Sequence, residues 1–175
     1  MHPLEAEFGL TKDELLDAMK RRFRARVTLE GVVAEVHLGK HIRALHEKGI
    51  VARYEEHDQD GYPDYSIWLP SLPDRAFRIE CKNVRDSVEA YRKRGAVVAF
   101  KVETQKTRAS TGDSSSRYYG YGQFEILAVC LGKKTRDWRQ FLYIRSKDLT
   151  QHSVYPDKMA VMHPVPLPTV NVLPP

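Results

Sequence analysis

The chain has 175 residues, 42% hydrophobic and 29% charged, which suits one folded domain and excludes a chain disordered throughout. Lysine and arginine number 28 against 23 acids, and the formal net charge of +5 permits a polyanionic partner without requiring one. No run of about 18 apolar residues exists to cross a membrane. The opening MHPLEAEFGL carries acids where a secretion signal needs cations, and Cys81 and Cys130 make no disulfide framework, so a cytoplasmic setting is expected.

Thr11 with Glu14 three residues on reads as a capping box, and Leu15, Leu16, Met19 and Phe23 predict an amphipathic helix over about 12–25. A second helix over about 28–48 follows from Val32, Val36, Leu38, Ile42 and Leu45, with Gly49 as its stop. Strands are expected at 50–57, 64–69 and 76–83, the last two joined by a proline-containing turn at 70–75. Residues 85–94 are charged and helix-compatible, and 96–102 reads as a buried strand. The stretch 107–123, rich in Ser, Gly and Tyr, is a long loop, and such loops inside compact domains are usually functional or disordered. Two more strands are expected at 124–132 and 141–146. Pro156, Pro164, Pro166, Pro168, Pro174 and Pro175 mark residues 151–175 as an extended tail over the surface. The expected fold class is α/β: a single domain over 1–150, a central mixed β-sheet flanked by helices, and then the tail.

The charge is unevenly distributed. Lys20, Arg21, Arg22, Arg24 and Arg26 form one basic zone, and Arg92, Lys93 and Arg94 a second. Lys101, Lys106, Arg108 and Arg117 make a third, and Lys133, Lys134, Arg136 and Arg139 a fourth. The acids gather at Glu55, Glu56, Asp58, Asp60 and Asp64. Basic zones around an acidic focus suit metal-dependent chemistry on a phosphate backbone, although any single charge run is more often a solvated face.

The informative stretch is GYPDYSIWLPSLPDRAFRIECKN. Side chains alternate along a strand, so Glu80 and Lys82 point one way while Phe77, Ile79 and Cys81 point into the core. A carboxylate and an ammonium side by side opposite an apolar face imply that their own face is open to solvent. A hairpin through 70–75 would set Asp64 beside Glu80 and Lys82. Two convergent carboxylates make a hard-oxygen site suited to Mg²⁺ or Mn²⁺, and a neighbouring Lys can steady an attacking water or growing phosphate charge. Glu35 falls on the apolar face of the second helix, where a buried carboxylate needs a metal, a Lys or a hydrogen-bond donor; Glu30 is a second candidate.

Pro63-Asp64, then Glu80-Cys81-Lys82, behind a helix bearing Glu35, resembles the PD-(D/E)XK nuclease superfamily, the fold of many restriction endonucleases and Holliday-junction resolvases. The resemblance covers roughly residues 28–146. It implies a restriction endonuclease-like core and Mg²⁺-dependent cleavage of phosphodiester bonds. Asp64 and Glu80 would then bind metal, with the Cys81 backbone carbonyl as a further ligand. Lys82 would assist the attacking water, and Glu35 would match the acid on the first core helix. The stretch VETQKTRAS…SSSRYYGYGQFEILAVCL is similar to the segment after the core in restriction-type members, where Gln105 and Lys106 would face the site.

Arg108, Arg117, Tyr118, Tyr119, Tyr121 and the serines at 114–116 mix phosphate donors with stacking rings, a combination suited to DNA backbone or unpaired bases and also to an ordinary polar loop. His37 and His41 lack the glutamate of a metalloprotease helix, and no glycine-rich phosphate loop occurs. Cys81 and Cys130 read as inert core thiols. The expected activity is a Mg²⁺- or Mn²⁺-dependent endodeoxyribonuclease of a restriction or other anti-phage system. The alternatives are a catalytically inactive DNA-binding or assembly subunit, and a structure-selective nuclease such as a junction resolvase or an enzyme acting on RNA. Cutting both strands would call for a homodimer or partner subunits.

Overall fold

The computed structural model describes residues 1–59, 61–86, 88, 90–106 and 112–167. Asp60, Arg108, Pro168, Pro174 and Pro175 therefore lie outside the described residues. Met1–Val33 and Ala34–Pro175 form two compact units.

The first unit holds helix α1 (Pro3–Phe8), helix α2 (Lys12–Arg21) and the start of α3 (Phe23–Glu47). Thr11 caps α2 as expected: its hydroxyl accepts from the Glu14 N–H, and the Glu14 carboxylate accepts from the Thr11 N–H at 2.8 Å. The helix expected over 12–25 stops at Arg21, because Arg22 is extended at φ −105°, ψ 112°. A continuous helix would stack Lys20 on Arg24 and Arg22 on Arg26, like charges four residues apart, and that repulsion opposes its continuation. Neither α1 nor α2 buries a residue; Leu16 and Phe23, expected on a core face, are exposed.

The second unit is α/β, with two sheets. Strands β1 (Arg53–Glu56), β2 (Tyr65–Leu69), β3 (Leu72–Asn83), β6 (Ile126–Cys130) and β7 (Phe141–Arg145) form a mixed five-stranded sheet in the order β1-β2-β3-β6-β7. Only the β3–β6 pair is parallel. Strands β4 (Ala90–Lys93), β5 (Ala96–Glu103) and β8 (Met162–Pro166) make a second sheet, β4-β5-β8.

Strand alternation divides the interior into two cores. Ile79, Cys81, Ala128 and Cys130 face Ala34, Leu38 and Ile42 of α3, together with Tyr65 and Ile67. Leu127 and Val129 face the other way and join Val84, Val102, Phe124, Met159 and Val165. Helix α3 thus buries positions 34, 38 and 42, whereas Val32, Val36 and Leu45 are exposed. Steps of three and four residues fit more than one helical face, and close approach selected this one. At Gly39 an added Cβ would lie 2.5 Å from the Tyr65 hydroxyl oxygen, so only glycine lets α3 sit this near β2.

Two further expectations need correction. None of the described residues in 85–94 is helical: Ala90–Lys93 is β4, and a two-residue turn at Arg94 (φ 50°) and Gly95 (φ 83°) pairs it with β5. Both central residues have positive φ, as a type I′ hairpin demands, but the usual Asn or Asp is replaced by Arg and the signal is hidden. The proline-rich tail is more than a surface strap. Met162–Pro166 pairs with β5, and Val165 and His163 are buried. His163 Nδ1 accepts from the Thr150 N–H at 3.1 Å, so Nε2 carries the hydrogen and donates to the Thr104 hydroxyl at 2.8 Å. Thr104 in turn donates to the Ala160 carbonyl at 3.1 Å, so this buried polar chain is satisfied.

Candidate active site

The register that pairs Tyr65 with Ile79 runs on to set Asp64, just before β2, opposite Glu80 on β3. Asp64 Oδ2 accepts from the Cys81 backbone N–H at 2.6 Å. Glu80, 4% exposed, receives the Lys82 ammonium on Oε1 at 2.5 Å. The three residues singled out from the sequence are therefore brought together, and Lys82 and Asp64 are only partly buried beside a buried Glu80.

The face they share is not the open surface expected for it. Glu80 pairs in register with Leu127 and Lys82 with Val129, two residues of the second core, and the Tyr119 hydroxyl donates to Glu80 Oε1 at 2.5 Å. A buried ion pair has to recover a desolvation cost of several kcal/mol per charge, which needs further hydrogen bonds; Tyr119 supplies one. The remaining oxygens, Asp64 Oδ1 and Glu80 Oε2, take no part in these contacts.

Electrostatics follow from this crowding. Burial, then the nearby charge of Glu80, pushes the Asp64 carboxyl up to about 7, against the pull of Lys82 and the Cys81 N–H. For Lys82 burial alone would favour loss of the proton, but its acidic neighbours, Glu80 first, outweigh it and hold the ammonium well above its ordinary range. Glu35 is half-buried, and its carboxyl is raised by burial and by Glu80, Asp58 and Glu56, against Lys82. It lies on the α3 side, where the Tyr65 hydroxyl donates to its backbone carbonyl at 3.2 Å. Among the described residues no three His, Cys, Asp or Glu side chains group closely enough to hold a metal by themselves. Glu35 is an electrostatic neighbour of Glu80 and Lys82, whose charges act on its carboxyl. Cys81 meets the site through its N–H, and its thiol is buried in the first core.

Two carboxylates, each with one oxygen outside these contacts among the described residues, fit a hard divalent cation. Mg²⁺ is commonly held by one or two carboxylates and keeps several waters. The Asp64 carboxyl is raised by burial and then by Glu80, and a cation between the two carboxylates would favour the charged form against both.

The loop residues are arranged less uniformly. Gln105 bridges to Tyr118, and the Lys106 N–H donates to the Arg117 carbonyl at 3.0 Å, so the two arms of the loop are tied at their base. Lys106 Nζ lies 5.3 Å from the Tyr119 ring centre, which brings it to the edge of the site. Arg117 is exposed. Tyr118 turns to His152, at 4.4 Å between ring centres, and to Tyr155, at 5.8 Å. The Tyr121 hydroxyl donates to the Leu149 carbonyl, and Ser115 and Ser116 close a local turn on Asp113. Several other cations have partners in the fold: Arg85 with Glu103, Arg139 with Asp137, and Lys134 with the Asp86 carbonyl.

Tyr119 was placed among stacking rings by composition. Its contact with Glu80 had no periodic signature, because a loop side chain reaching a strand 39 residues earlier follows no spacing rule. Comparison with protein-family models finds none that matches, and comparison with curated proteins finds no match.

Proposed function

We propose that this chain is a divalent-metal-dependent phosphodiester hydrolase acting on DNA, an endonuclease of the PD-(D/E)XK kind. The observation that carries the reading is the convergence of Asp64, Glu80 and Lys82 from two paired strands, with Lys82 Nζ 2.5 Å from Glu80 Oε1. A binding module has no need of a partly buried acid–acid–amine group. Asp64 and Glu80 would hold Mg²⁺ or Mn²⁺. The cation would neutralise charge on the scissile phosphate and make water a better nucleophile.

Lys82 keeps its proton at neutral pH, held chiefly by the charge of Glu80 against the effect of burial. Its role in this reading is to donate to the attacking water or the phosphate and stabilise the negative charge that grows there, rather than to accept a proton. The Cys81 N–H orients the Asp64 carboxylate. Lys106, beside the Tyr119 ring, is the nearest further cation suited to a neighbouring phosphate. Among the described residues no helix is long and apolar enough to cross a membrane. A reducing cytoplasmic setting suits the two free cysteines, and a restriction or other anti-phage role suits the chemistry. Cleavage of both strands would need two such sites, from a second copy or a partner subunit.

Plasmid cleavage with Mg²⁺ or Mn²⁺ tests the reading. Wild-type protein should cut, and Asp64→Ala and Lys82→Ala should each lose at least about a hundredfold in rate. Cleavage that survives both substitutions removes the reading.

A further inference from the structure

Glu80 is engaged by two donors on the same oxygen. Lys82 approaches along β3 from two residues away, whereas Tyr119 comes from the 107–123 stretch, 39 residues further along the chain. A merely buried phenol would be satisfied by any acceptor; this one donates to the carboxylate oxygen that already receives the ammonium.

Its other atoms are fixed as well. The ring packs edge-on against Phe124, with centres 5.3 Å apart and planes 78° apart, in the second core. The Tyr119 carbonyl accepts from the Met159 N–H at 2.8 Å. The ammonium groups of Lys82 and Lys106 lie 5.9 and 5.3 Å from the ring centre. Backbone, ring and hydroxyl are thus held from three directions, and a side chain so restrained can impose an orientation on Glu80.

We propose that Tyr119 is a positioning residue of the candidate site: its hydroxyl fixes the Glu80 carboxylate, and with it Lys82, in the arrangement that receives the divalent cation. This rests on the nuclease reading for its chemistry, but cation affinity can be measured without cleavage. Donors that orient metal-ligating carboxylates typically cost about 10–100-fold in metal affinity or activity when removed.

Tyr119→Phe deletes only the hydroxyl and keeps the ring on Phe124. The test measures Mn²⁺ binding to the full chain by titration calorimetry and by the loss of the free-ion electron-spin signal. It also measures thermal unfolding, duplex binding in Ca²⁺ and the cleavage rate. The variant should bind Mn²⁺ at least about tenfold more weakly and cleave about 10–100-fold more slowly at limiting metal, with part of the rate restored by excess Mn²⁺. Duplex affinity should stay near wild type and unfolding should stay cooperative at a somewhat lower midpoint, because buried Glu80 loses one donor; recovery of the rate by excess Mn²⁺ is the readout a purely structural role would not give. Unchanged or tighter Mn²⁺ binding in a folded variant overturns the proposal. If Tyr119→Phe fails to fold, Tyr119→Trp, which keeps a large ring and removes the hydroxyl, is measured in its place against the same outcomes. Wild-type protein that binds Mn²⁺ but cuts nothing, with a weakened Tyr119→Phe, upholds the positioning role and sinks the nuclease reading instead. Wild-type protein that neither binds nor cuts sinks both.

Discussion

The two faces of β3 obey different rules although they belong to the same residues 79–82. Ile79 and Cys81 enter a core that is apolar throughout, closed by Ala34, Leu38 and Ile42 of α3. Glu80 and Lys82 enter the other side, where hydrophobic neighbours surround an ion pair and a phenol. On the helix side the apolar side chains of the core gain from burial. On the other side burial is a cost that close pairing must offset, and such an arrangement persists in natural chains chiefly where chemistry requires it. The Asp64 carboxyl is raised on that side, by burial first and by Glu80 next, and this gives the candidate site its physical signature.

The sharpest way to break this contrast is to remove the ammonium alone. Lys82→Met leaves Glu80 buried with Tyr119 as its remaining donor among the described residues, and the loss should be about 3–5 kcal/mol in urea denaturation at pH 8. Adding Glu80→Gln to that variant should restore much of it, because the uncompensated charge is gone. A loss of under about 0.5 kcal/mol for Lys82→Met would place the pair in effective contact with water and dissolve the distinction between the faces.

A substitution on the apolar side tests packing without charge. Gly39→Ala puts a methyl against the Tyr65 hydroxyl, 2.5 Å from its oxygen, and should destabilise by about 1–3 kcal/mol despite alanine's better helix propensity. In a Tyr65→Phe background the same change should become near neutral. A double-mutant cycle by chemical denaturation measures the coupling, and additive effects would show that α3 does not sit this close to β2.

The pH dependence separates two titratable groups by sign. Asp64 is raised to about 7 in the folded state by burial and by Glu80, so between roughly pH 4 and 7 the folded protein holds a proton that the unfolded chain has released. Its contribution to stability therefore falls as pH rises through that window when no divalent metal is present. Asp64→Asn should remove this fall and be more stable than wild type at pH 8 by about 1–3 kcal/mol while cleaving no DNA. Thermal unfolding in EDTA from pH 5 to 8 reads both curves; parallel curves would show that Asp64 is not strained. His163, lowered by burial, acts oppositely. Its neutral form is required, so stability drops as pH falls below about 6.5, with a slope of at most about 1.4 kcal/mol per pH unit. That smaller decline should remain in Asp64→Asn.

Much of the site was legible because strand rules are local. A period of two fixed which of residues 77–82 share a face, and the short link between β2 and β3 left few registers that bury Ile79 and Tyr65 together, which brings Asp64 to Glu80. The Thr11–Glu14 cap was readable for the same reason, since both partners lie within one turn. Residues 85–94 were less legible, because charged residues fit a helix as well as a hairpin and only the positive φ at Arg94 and Gly95 decides between them.

The amino-acid order by itself determined the α/β class, the alternation along β3 and the pairing of an acid with an acid–amine couple, all set by backbone geometry over a few residues. Tertiary structure alone decided which face of α3 is buried, that Pro164 and Pro166 lie in a strand beside β5, and that Tyr119 reaches Glu80. Those outcomes depend on contacts between segments distant in the chain, where competing arrangements are separated by packing and desolvation rather than by any spacing along the sequence.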